Sequence, residues 1–151
     1  MLKFARCARM VWLGMPLVVL AQATHAADPN PIGTWHTEGG EATIRIARCG
    51  EALCGRITAL REPRDPATGR PKTDEHNPDP QLRSRPLIGL QIVIGMRRKG
   101  RSGHWNGRVY NPEDGRIYPA TLTMVGGRSL RLKGCMAEGV LCQGQTWARI
   151  K

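Results

Sequence analysis

From residue 32 onward the chain is cut into short stretches in which apolar and polar residues alternate with a period of two, the signature of half-buried strands. Ile32 to Thr37 is the first. Ala42 to Arg48 sets Ile44 and Ile46 on one face, with Arg45 and Arg48 near the other. Leu53 to Leu60 places Leu53, Ile57 and Ala59 on a shared face, and Leu87 to Met96 is strongly apolar, with Gly89 and Gly95 as sites for a bend or bulge. His104 to Tyr110 alternates Trp105 and Val109 against Asn106 and Arg108. Arg116 to Val125, Arg128 to Gly134 and Gln143 to Lys151 complete the set. The separators are turn chemistry: Gly39-Gly40, Cys49 to Ala52, Asn111-Pro112-Glu113-Asp114-Gly115, and Gly126-Gly127. No amphipathic helix of useful length interrupts them. About eight strands linked mostly as hairpins predict an all-β domain, a single antiparallel barrel, because closure removes the edges that would otherwise pair with neighbours.

One stretch breaks the rhythm. Glu62 to Leu90 carries six prolines (Pro63, Pro66, Pro71, Pro78, Pro80 and Pro86), with mostly charged or polar residues between them. Loops of this length are uncommon in compact domains unless functional or disordered. Asp65-Pro66, Thr68-Gly69, Asn77-Pro78 and Asp79-Pro80 supply turns throughout, so an ordered excursion is expected.

The first 26 residues change the picture of compartment. Lys3, Arg6 and Arg9 precede an apolar core from Val11 to Ala21, and Thr24-His25-Ala26 ends in a small residue. This reads as a signal peptide over residues 1–26 cleaved near Ala26, leaving 27–151 as the mature barrel domain, periplasmic or secreted. No other apolar run approaches membrane length, so no transmembrane span is expected in the mature protein. Cleavage removes Cys7 and leaves four cysteines, Cys49, Cys54, Cys135 and Cys142. An even number in an exported chain predicts two disulfides. Of the three possible connectivities, Cys49–Cys54 and Cys135–Cys142 is favoured by position, since each pair brackets a tight turn between strands. Cleavage also lowers the net charge from +11 to +8, which suits an anionic envelope component as partner or simple solubility. Aromatic content of 5% is low for a stacking platform, and no nucleic acid is expected.

The excursion holds most of the candidate chemistry. Asp74, Asn77 and Asp79 are oxygen donors of the type a hard cation takes, but they do not fit the twelve-residue calcium loop. The plainer expectation is that they cap turns and pair with nearby arginines, fixing the loop over the barrel mouth. Lys72, Arg83 and Arg85 are then candidate contacts for an acidic head group. A Ser84, His76 and Asp79 set has no nucleophile-elbow context, and paired carboxylates at Asp74 and Asp79 or at Glu113 and Asp114 are unforced. No catalytic residue, cofactor or metal is assigned. Tyr110, Tyr118 and Trp105 are candidates either for the core or for a cavity wall.

Two distant features point to how such a barrel closes. Gly33-Thr34-Trp35 opens the first strand, and Trp147-Ala148-Arg149 lies in the last, where a guanidinium can stack over an indole and close one end. With Cys49, Cys54-Gly55-Arg56-Ile57, Asp65, Thr68-Gly69, Pro71-Lys72, Asp74, Asn77-Pro78-Asp79, Leu82-Arg83, Arg85-Pro86-Leu87 and Gly89-Leu90, the chain resembles an exported bacterial domain-of-unknown-function family, the one numbered twenty-one forty-seven. Asn111 to Gly115, Tyr118, Gly134-Cys135, Leu141-Cys142, Gln145-Thr146-Trp147 and Arg149 extend the likeness over nearly all of the mature chain. The resemblance implies a lipocalin-like barrel and no established activity.

The functional expectation is a non-catalytic envelope protein that binds a small amphipathic or anionic molecule, lipid-like ones included, with Lys72, Asp74, Asn77, Asp79, Arg83 and Arg85 as candidate contacts. The alternatives are a filled barrel acting through its basic surface and, ranked last, a hydrolase with its site in the 62–90 loop.

Overall fold

The computed structural model describes residues 30–100, 103–136, 139 and 141–150. The leader expected over residues 1–26 lies outside them. Eight antiparallel strands follow one another in sequence and in space: β1 (Gly33–His36), β2 (Ala42–Cys49), β3 (Ala52–Leu60), β4 (Gln91–Arg98), β5 (His104–Asn111), β6 (Arg116–Val125), β7 (Ser129–Met136) and β8 (Leu141–Arg149). Each pairs with the next, and β8 returns to β1, where Trp35 lies opposite Arg149 and His36 opposite Ala148. The sheet is therefore a closed barrel, as the spacing of the alternating segments predicts. Disulfides Cys49–Cys54 and Cys135–Cys142 each close a hairpin.

The up-and-down order divides the connections between two ends. The β2–β3, β4–β5 and β6–β7 turns lie at one end, together with the start of β1 and the finish of β8. The β1–β2, β5–β6 and β7–β8 turns and the whole 61–90 excursion lie at the other. The inner face is filled by Trp35, Ile44, Ile46, Val93, Leu122 and Leu130, among others, all nearly inaccessible. Packing is tight where β3 pairs with β4: Gly55 is opposite Val93, and a Cβ on Gly55 would overlap the Val93 side chain.

At the first end Arg149 makes the closure. Its guanidinium lies 4.4 Å from the Trp35 ring centroid. Nε donates to the Gly127 carbonyl (3.2 Å), one terminal nitrogen to the Ile32 carbonyl (2.9 Å) and the other to the Asn30 carbonyl (2.5 Å). The Trp35 indole N–H donates to the Pro31 carbonyl at 2.8 Å, so the buried ring leaves no polar atom unsatisfied. Gly33 opens β1 ahead of Trp35, and Trp147 is buried beside Leu130, its partner across β7–β8.

Two details differ from the expected pattern. β4 begins at Gln91 rather than Leu87, because Gly89 takes a positive φ of 94° and Leu90 N–H turns back to the Leu87 carbonyl; Ile88 is left exposed. Ala59 is exposed instead of sharing the inner face with Ile57. The register of β2 against β3 slips between Thr43 and Ile44, which a period-two count cannot foresee.

Candidate functional site

The excursion leaves the barrel after β3 and folds on itself through two short antiparallel bridges. Arg64 pairs with Pro71 and Thr73 with Pro86. Its first turn is built on Asp65, whose Oδ1 accepts from the Thr68 hydroxyl (2.9 Å), the Thr68 N–H (2.7 Å) and the Ala67 N–H (3.1 Å). Those bonds hold the Asp65 carboxyl below its ordinary range. Further on, Leu87 N–H donates to the Lys72 carbonyl and Asp74 N–H to the Arg85 carbonyl, each at 3.0 Å. Proline at both bridges costs no ladder bond that the segment needs, which lets a proline-rich sequence remain ordered.

The second bridge delivers Asp74 into the protein with no accessible surface, an arrangement tolerable only if every lone pair is used. Tyr110, on β5, donates its hydroxyl to Oδ1 at 2.5 Å. Oδ2 accepts from Asn77 Nδ2 (2.8 Å), from Arg85 Nε (2.8 Å) and from an Arg85 terminal nitrogen (2.7 Å). Asn77 Nδ2 also lies 3.0 Å from the Tyr110 oxygen, and the Arg85 guanidinium sits 5.7 Å from the Tyr110 ring centroid. Burial pushes the Asp74 carboxyl up, but the bonds from Tyr110, Asn77 and Arg85 and the Arg85 charge outweigh it and hold the group below its ordinary value. Burial and the bond to Asp74 push the Tyr110 phenol up. A second anchor is steric. Gly115, in the β5–β6 turn at a φ of 69°, packs so closely on the His76 carbonyl that a Cβ would overlap it.

Beside this anchor the same end of the barrel opens into a cleft of about 550 Å³. Ile92, Val109, Leu132, Met136, Leu141 and Trp147 give it an apolar wall; Asn111, Asp114, Tyr118, Gln143 and Gln145 line its polar side, with Thr37 and Glu113 near them. Strand register explains the mixture. Val109 is opposite Tyr118 on β5–β6, Gly134 opposite Gln143 and Leu132 opposite Gln145 on β7–β8, so both glutamines share the inward face that carries Trp147. Gln145 Oε1 accepts from the Trp147 indole at 3.1 Å. Asp114 Oδ1 accepts from Arg116 N–H at 3.0 Å, and Oδ2 takes the Tyr118 hydroxyl. Burial raises the Asp114 carboxyl, yet the bonds from Tyr118, Arg116 and Asn111 bring it below its ordinary value, so it is a carboxylate at neutral pH.

The structure brings Asp74, Asn77 and Arg85 together on Tyr110 and sets the other three candidates around them. Arg83 Nε donates to the Asn77 carbonyl at 2.8 Å. Asp79 Oδ1 caps the 3-10 turn Pro80–Leu82 through Gln81 N–H at 2.9 Å. Lys72 Nζ lies 3.8 Å from Glu62. None of the six lines the cleft among the described residues. The cleft is built largely from residues of the resemblance, Asn111, Glu113, Asp114, Tyr118, Gly134, Leu141, Gln145 and Trp147, of which the sequence marks only Tyr118, with Tyr110, as a candidate wall. The available signal was Gln143 and Gln145 in phase with Trp147, polar side chains on a face that a filled barrel would make apolar.

With this geometry in hand, comparisons place the chain among known proteins. The family model described as an uncharacterized protein conserved in bacteria, DUF2147, matches residues 33–149. Among solved structures, the chain is similar to protein HP1028 from the human pathogen Helicobacter pylori, described as belonging to the lipocalin family. The TM-score is 0.65 at 20% identity, over 80% of this chain and 82% of that one. A comparison with curated proteins returns no match.

Proposed function

The chain belongs to this DUF2147 family, and from that premise we propose that it is an exported, non-catalytic barrel that holds one small amphipathic molecule in the cleft at its mouth. The observation that carries the reading is the cleft itself. Its volume of about 550 Å³ lies in the range of small-molecule sites, with an apolar wall and a few convergent polar groups. Export is supported by the leader pattern over residues 1–26 and by two disulfides, which persist in oxidising compartments. Among the described residues no helix is long and apolar enough to cross a membrane. The excursion supports the mouth from one side, through Tyr110, which lines the cleft and holds Asp74.

A second reading, an envelope protein working through its basic exterior, draws on Arg45 and Arg56. They face each other across β2–β3 and are both exposed. The hydrolytic alternative in the 62–90 loop has the least support, because the Asp74 oxygens are already met by Tyr110, Asn77 and Arg85.

Native mass spectrometry of the mature, oxidised protein, purified gently from periplasm, tests the binding reading. A discrete added mass is expected, and its absence in Gly134→Leu would place it in the cleft. A Cβ at Gly134 meets only side chains, Val109 at 3.4 Å and Tyr118 at 3.8 Å, so a side chain can start there without backbone overlap, and Gly134 lines the opening. A bare mass in both proteins counts against the binding barrel.

A further inference from the structure

The protein carries a strong positive charge, yet its cleft does not. Lys and Arg outnumber Asp and Glu by 23 to 12 over the chain, while the described cleft lining includes no Lys or Arg and two acids, Glu113 and Asp114. Neither acid makes an ion pair among the described residues. Arg116, the nearest cation in sequence, lies outside this lining, in an adjoining groove that shares Tyr118 and Met136 with the cleft, and its charge acts on Asp114. The basic candidates of the excursion are engaged elsewhere, Arg85 on Asp74 and Arg83 on the Asn77 carbonyl.

Apart from the two acids, the polar lining is made of neutral amides and hydroxyls. Asn111, Gln143 and Gln145 bring side-chain carbonyls as well as amide donors, and the Asp114 carboxylate is acceptor-only. Tyr118 fills one position on Asp114 Oδ2, and Arg116 N–H fills one on Oδ1. Asn111 supplies a further bond; a carboxylate offers about four lone-pair sites, so about one position remains open at the cleft. An anionic head group in this pocket would meet two acids in the lining against one neighbouring cation, Arg116, which lies outside it. A cationic one would gain a charge-assisted bond while its body covered Leu132, Met136 and Trp147.

On the reading that the cleft is a binding site, we infer that its ligand is a cationic amphiphile, an ammonium group held at Asp114 with its apolar body along the β7–β8 wall. This assigns a ligand charge opposite to that suggested by the protein's own net charge.

The test is a matched series, octylamine, octanol and octanoate, titrated into the mature oxidised protein at physiological salt and pH 7 by calorimetry, with Gly134→Leu as the blocked-cleft control. Octylamine should bind about tenfold or more tightly than octanoate, the effect of one charge-assisted hydrogen bond, with octanol between them. Asp114→Asn should weaken octylamine by a similar factor and leave octanol unchanged, which also reports that the variant cleft is intact. If the variant also loses octanol, Glu113→Gln provides the second measurement and should weaken octylamine alone. Octanoate binding as tightly as octylamine in a Gly134→Leu-sensitive manner overturns the cationic assignment and leaves the binding barrel standing. Equal octylamine affinity in Asp114→Asn, Glu113→Gln and the parent does the same. Failure of all three probes to bind overturns both readings, and binding that survives Gly134→Leu is on the exterior and overturns the cleft as the site.

Discussion

Two arginines lie over aromatic rings at opposite ends of this barrel, held by different kinds of acceptor. Arg149 sits 4.4 Å from Trp35 and donates to three backbone carbonyls, those of Asn30, Ile32 and Gly127. Arg85 sits 5.7 Å from Tyr110 and donates twice to one buried carboxylate, Asp74. A carbonyl cannot be protonated in the range a protein survives, so acid leaves the acceptors of the first clasp in place. The second depends on a charge that acid removes. The first also joins strands from opposite ends of the sequence and helps complete the ring, whereas the second fastens a loop to a ring already complete.

The largest expected effect comes from breaking the carbonyl clasp. Arg149→Ala removes three charge-assisted bonds and the cover over Trp35, and should destabilise the whole barrel by about 3 kcal/mol in denaturant titration, with a change in tryptophan emission. A loss confined to one region, or none, would mean that β1 and β8 stay joined by their ladder alone.

Asp74→Ala should cost less, about 2 kcal/mol at pH 7, because Arg85 is 38% exposed and can regain water when its partner goes. The loss should be local, with amide protection falling across 71–90 while β6 and β7 keep theirs. The pH dependence carries a definite sign. The Asp74 carboxyl is lower in the folded protein than its ordinary 3.8, so its contribution is fully present above that pH and is lost as pH falls below it toward the folded value. The Tyr110 phenol is raised above 10.0, so its contribution is fully present below that pH and is lost as pH rises through the folded value. The excursion should therefore be released by acid and by strong base, while the Arg149 end keeps its protection. An Asp74→Asn protein should lose the acid step; an unchanged acid step would assign it to other carboxylates.

The smallest effect sharpens the comparison. Tyr110→Phe deletes only the hydroxyl on Asp74 and should cost about 1 kcal/mol, again confined to the excursion. A larger, global loss would show that Tyr110 serves the barrel more than the loop.

How far these ends could be read from residues follows from the physics of each. Trp35 and Arg149 were legible because a barrel of hairpins must bring its first and last strands together, and an arginine facing an indole is a recognisable way to finish it. The strands were legible wherever alternation was clean, as at Ile44 and Ile46 or Leu130 and Leu132. Ala59 and the start of β4 were not, because a bulge and a positive-φ glycine reset the phase without marking it in hydrophobicity. The pairing of Asp74 with Arg85 could be anticipated from loop composition, but Tyr110 as its third member lies 36 residues away and needed coordinates. The cleft was least visible of all, because its lining is gathered from five strands, β4 to β8, and the β5–β6 turn, and no one segment marks the opening.

The start of β1 and the finish of β8 lie side by side at the end remote from the cleft, where Ile150 N–H donates to the Thr34 carbonyl. A surface attached there would hold the molecule like a cup by its base. A tether through either neighbouring segment would attach the barrel at the end opposite the cleft.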